Sequence, residues 1–84
     1  MKELGIITLG GILFVRDCKN SDGYIVKWMA QEGSTVWKLV ADKTTSVPYY
    51  VLFRRDETQE GRELWTRLFA SSSLDKISDY IDKR

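Results

Sequence analysis

The sequence predicts an α+β fold: a single antiparallel β-sheet of four to six strands with one C-terminal α-helix packed on one face. Three observations lead there. Apolar and polar residues alternate with period two through most of the chain, as strands that bury one face require. Turn-forming residues separate these runs at short intervals, so neighbouring runs are expected to pair as hairpins. Only the stretch "SSSLDKISDYIDKR" changes to a helical period. At 84 residues the chain is expected to be one small globular domain, 1–84. A chain of this size buries roughly 60% of its unfolded surface and has no room for a second core.

Taken in order, Leu4–Leu9 and Ile12–Asp17 flank Gly10-Gly11, a pair that supplies the positive φ angles of a two-residue turn. A hairpin is expected, the alternative being one long strand with a glycine bulge. "KNSDG" (Lys19–Gly23) is a turn ending in Asp-Gly. The strand "YIVKWMAQ", the turn "EGS" and the strand "TVWKLVA" make the next hairpin. After the loop "DKTTSVP", Pro48 fits a strand's first residue, where its missing N–H costs least. "YYVLFRR" is the following strand, "DETQEG" its polar loop and "RELWTRLFA" the last strand. The helix is expected from about Ser73 to Lys83, with Ser72 and Asp75 as the capping pair. Leu74, Ile77 and Ile81 form its apolar stripe, and Asp75 near its start and Lys83-Arg84 at its end suit the helix dipole.

Period two then assigns faces. Tyr24, Val26, Trp28, Trp37, Leu39, Val51, Phe53, Leu64 and Leu68 make an uncharged set, expected to be the core beneath the helix. The other face is expected to be open and solvated, as one face of an antiparallel sheet often is. It would carry Lys27, Lys38, Arg54 and Arg67 among Tyr50, Trp65, Phe69, Met29 and Ile25. Aromatic residues beside arginine are the composition of interface centres. The expected partner-binding residues are therefore Lys27, Lys38, Tyr50, Arg54, Trp65, Arg67 and Phe69.

Composition narrows the chemistry. The chain is 43% hydrophobic and 30% charged with a net charge of +1, so nothing global draws it to nucleic acid or acidic lipid. There is no histidine, the commonest general base and zinc ligand. Cys18 is the single cysteine; an internal disulfide is impossible, and a reducing compartment, the cytoplasm, is expected. With no histidine beside it, Cys18 reads as an ordinary thiol. Asp56, Glu57, Glu60 and Glu63 fall in one polar loop region, and Asp75, Asp79 and Asp82 on the wet face of the helix. No phosphate loop, dinucleotide fingerprint or metal-ligand cluster occurs. No enzymatic activity, cofactor or metal is expected. "MKELGIITLGGILFV" is interrupted by Glu3 and is shorter than the roughly 20 apolar residues of a membrane span, so neither a signal peptide nor a membrane segment is expected.

These residues predict a small non-catalytic protein-binding module of the accessory, adaptor or inhibitor type that phages and plasmids often encode. Its partner would be another protein or a second copy of itself. The alternative is a single-stranded nucleic-acid-binding protein using the same face, with bases stacked on aromatics and phosphates held by cations. A strand-rich domain closed by one C-terminal helix resembles the dimeric coactivator-type single-strand DNA binders in order of elements, which implies that alternative. None of that family's motif residues occurs in this sequence.

Overall fold

A computed structural model describes residues 5–21, 23–56 and 64–84. Strands β1 (Ile6–Leu9) and β2 (Ile12–Arg16) are followed by a single 3-10 turn at Cys18–Asn20. Then come β3 (Ile25–Glu32), β4 (Thr35–Asp42), β5 (Tyr49–Asp56), β6 (Leu64–Ser71) and the helix α1 (Leu74–Asp82). The six strands form one sheet in chain order, each antiparallel to the next.

The turns account for this meander. Gly10 and Gly11 have φ of 56° and 79°, and Leu9 pairs with Ile12, which makes the first unit a hairpin rather than a bulged strand. In the Gly33-Ser34 turn only the first residue has positive φ, at 60°, the position where glycine is needed. Between β2 and β3, Ser21 Oγ accepts the Lys27 N–H at 2.9 Å and donates to the Asp17 carbonyl at 2.7 Å. After β4, Asp42 Oδ1 accepts both the N–H and the hydroxyl of Thr44, at 2.9 and 2.6 Å. Pro48 stands immediately before β5, one residue earlier than its expected place. The polar loop expected at 56–61 and the start of the last strand at Arg62 lie outside the described residues apart from Asp56, as does Leu4.

Phe14, Val26, Trp28, Leu39 and Leu52 of the sheet and Ile77 and Ile81 of α1 are fully buried in one cluster. Burying a side chain of this size is worth about 1.5–3 kcal/mol. The helix touches β1, β6 and β5, and so meets strands from both ends of the sheet order. At the β1–β2 turn the approach is close: a Cβ on Gly10 would lie 2.4 Å from Ile81 Cγ2. The Gly10 N–H donates to Ser78 Oγ at 2.9 Å, and Arg84 Nη1 donates to the Gly10 carbonyl at 3.1 Å. The Arg84 guanidinium also grips the Glu32 carboxylate at two points, Nε to Oε1 (2.9 Å) and Nη2 to Oε2.

Three expectations need correction. The helix begins one residue later than its expected capping pair, with Ser73 at the N-cap and no side-chain capping bond from it. The backbone instead supplies the first bond, Ile77 N–H to the Ser73 carbonyl. The faces of β5 are reversed: Leu52 is buried, whereas Val51 and Phe53 point the other way and are half-buried. Pairing dictates this, since Leu52 stands opposite Leu39 of β4, which is itself opposite Trp28 of β3. Finally, Tyr24 and Leu64, expected in the core, are exposed at 67% and 58%.

Candidate partner-binding face

One face of the sheet holds the buried cluster. The other can be traced residue by residue through the register. Ile6 pairs with Val15, Val15 with Met29, Met29 with Lys38, Lys38 with Phe53 and Phe53 with Arg67. Side chains that pair directly share a face, so this is a continuous row across all six strands. A second row alongside it runs Lys27, Val40, Val51 and Ala70. Leu13 lies beside them on β2, and Arg55 pairs with Trp65 at the other end. Ile6, Leu13 and Val15 are at least half exposed.

At the centre, Lys38 Nζ sits 4.2 Å from the Trp65 ring centroid and 4.9 Å from that of Phe53. This double cation–π contact fixes the lysine head over two aromatic faces and holds both rings against the sheet. Lys27, Arg55 and Arg67 lie on the same face with it. Among the described residues, Asp42 at the end of β4 and Asp17 just after β2 are the carboxylates that the alternation puts on this side. Thr44's two hydrogen bonds lower the Asp42 pKa below its ordinary value, so this carboxylate is charged and already engaged. Among the described residues the face is thus apolar with an excess of positive charge.

Of the residues expected to bind, Lys27, Lys38, Trp65 and Arg67 come together here. Tyr50, Arg54 and Phe69 lie on the core side instead. Tyr50 pairs with the buried Ala41 and packs against the cluster, and Arg54 stands opposite Trp37. Phe69 stacks on Tyr80 of α1 with centroids 5.0 Å apart. The physical reason on β6 is a β-bulge. Phe69 pairs with Leu52 but Arg67 with Phe53, so Leu68 is an extra residue and the alternation changes sides there. Trp65 and Arg67 therefore face outward while Phe69 faces the core. Leu68, expected in the core, packs against it from the bulge.

Sequence reasoning missed Ile6, Leu13, Val15, Phe53 and Arg55 as members of this face. For β2 the signal was present: "ILFVR" alternates, and it needed only a partner strand to fix its sides.

Cys18 is exposed and not in a disulfide. No group of three acidic or cysteine side chains among the described residues could hold a metal ion. No helix among them is long and apolar enough to cross a membrane. Compared with protein-family models, with curated proteins and with solved structures, the chain shows no match.

Proposed function

We propose that this chain is a small non-catalytic protein-binding module of the adaptor or inhibitor type, acting through the outer face of its sheet. The observation that carries the proposal is the row from Ile6 to Arg67, apolar over most of its length and centred on Lys38 above Phe53 and Trp65. With α1 taken as the layer that covers the core face, no element among the described residues is assigned to cover this one. Exposed apolar ground of that extent with cations along it fits a protein interface.

The charge indicates which protein. Among the described residues Lys27, Lys38, Arg55 and Arg67 outnumber Asp17 and Asp42, so two copies placed face to face would oppose like charges there. The partner that fits is another protein with aliphatic side chains flanked by carboxylates, which arginine can hold bidentately. Nucleic acid fits less well, because Lys38 occupies the ring faces of Trp65 and Phe53 on which bases would stack. A cytoplasmic location goes with this reading, on the ground of the single cysteine, which is exposed and unpaired.

The test begins with capture by tagged chain from cells, followed by a direct titration of the purified partner. Trp65→Ala and Arg67→Glu should each weaken binding by about tenfold or more and leave the melting temperature nearly unchanged. A partner held equally well by both variants would remove the outer face from the interaction. A single-stranded oligonucleotide titrated at low salt decides the alternative. Micromolar binding that falls steeply with salt would replace the protein reading with the nucleic-acid one.

A further inference from the structure

The first hairpin is joined to the rest of the sheet unevenly. β1 and β2 pair along four residues each, and β3 and β4 along eight. Between β2 and β3 the ladder has two pairs, Val15 with Met29 and Arg16 with Trp28. Carried onward, the same register would set Ile12–Phe14 against Ala30–Glu32, yet the pairing stops short of them. Each pair not made leaves out backbone bonds of the kind that hold an antiparallel sheet together.

The two ends of this hairpin are held by different means. Its base is bonded to β3: the Asp17 N–H donates to the Lys27 carbonyl at 2.8 Å, and Ser21 Oγ ties Asp17 to Lys27. Its tip is bonded to the helix. Gly10 donates its N–H to Ser78 Oγ, and its carbonyl accepts from Arg84, so both of its backbone groups are engaged there. Arg84 also holds Glu32, the last residue of β3. One guanidinium thus spans the stretch where β2 and β3 leave off pairing. Leu9, Ile12 and Phe14 on the inner side are buried in the core, so the closed form is the resting one.

We infer that β1 and β2 form a flap, hinged on β3 at Val15–Asp17 and latched at Gly10 by Ser78 and Arg84. Opening lifts Leu9, Ile12 and Phe14 out of the cluster while β3 to β6 stay paired. Release of the latch permits it, at a free energy below that of global unfolding. A two-stranded hairpin on its own is marginal in water, so the amides of an open flap lose protection together. Ile6, Leu13 and Val15 ride on its outer side, and opening therefore displaces that end of the outer face. The flap is a property of the free chain and does not rest on what binds that face.

Amide hydrogen exchange in the ¹⁵N-labelled full chain reads this opening strand by strand. The amides of Ile7 and Phe14, which pair with each other inside the hairpin, should exchange about tenfold or more faster than those of Leu39 and Leu52. Arg84→Gln and Ser78→Ala each remove part of the latch. Both should quicken Ile7 and Phe14 by several-fold and leave Leu39 and Leu52 at their wild-type rates. Four amides that exchange alike in the wild type would mean that the hairpin opens only with the whole sheet, which overturns the proposal. So would variants that quicken all four equally, or variants that leave the hairpin amides unmoved.

Discussion

Gly10 and Gly11 sit side by side in one turn and answer to different demands. Both have positive φ, but a Cβ on Gly11 meets open space whereas one on Gly10 runs into Ile81. Gly11→Ala should therefore cost about 1–2 kcal/mol for the backbone alone. Gly10→Ala adds crowding of about 1–3 kcal/mol. Equal losses in urea unfolding would mean that Ile81 does not lie against this turn. Glu32 gives a second test at this scale. The Arg84 guanidinium bonded to it lowers its pKa below the ordinary glutamate value. A folded-state pKa lowered in this way adds stability above the unfolded value, near pH 4.3 for glutamate, and that stability is lost as pH falls through the folded value. Wild type should thus lose more stability on acidification from pH 5 than Glu32→Gln does. Parallel acid profiles for the two proteins would show that the pair contributes nothing.

Among the elements, legibility followed contrast. The β3–β4 hairpin could be read because Lys27 and Lys38 mark one side and Trp28, Trp37 and Leu39 the other. In "YYVLFRR" both sides are apolar, and the charged residues, Arg54 and Arg55, come at its end, one on each side. Arg54 misled, because it is exposed and yet pairs with the buried Trp37, on the same side of β5 as Leu52. The bulge at Leu68 left no trace in composition, since no glycine or proline announces it. Half of the candidate site followed from pattern alone, in Lys27, Lys38, Trp65 and Arg67; the remainder depended on register. The side on which β5 faces the core can be measured. Leu52→Ala should cost about 2–5 kcal/mol, as a fully buried leucine does, and clearly more than Val51→Ala. The reverse order would restore the assignment read from the sequence.

At the scale of the whole molecule, the cationic outer face makes a further demand. Despite its exposed aliphatic residues, the free chain should sediment as a monomer at micromolar concentration, because like charges oppose face-to-face pairing. A stable dimer abolished by Arg67→Glu would make the second copy the partner. The contact of α1 with β1 has a kinetic consequence. Each strand pairs with its neighbour in the chain, but the Gly10–Ser78 bond spans 68 positions. Closing so long a loop must precede any reward from its contacts, so local hairpins should assemble first and the helix dock late. Ile81→Ala should then leave the folding rate almost unchanged and accelerate unfolding by roughly 30-fold or more, whereas Trp28→Ala should slow folding itself. An Ile81→Ala variant that folds as slowly as it is destabilised would place the helix in the nucleus. With late docking the molecule opens from its helix first, and the amides of β3 and β4 are the last to exchange with solvent.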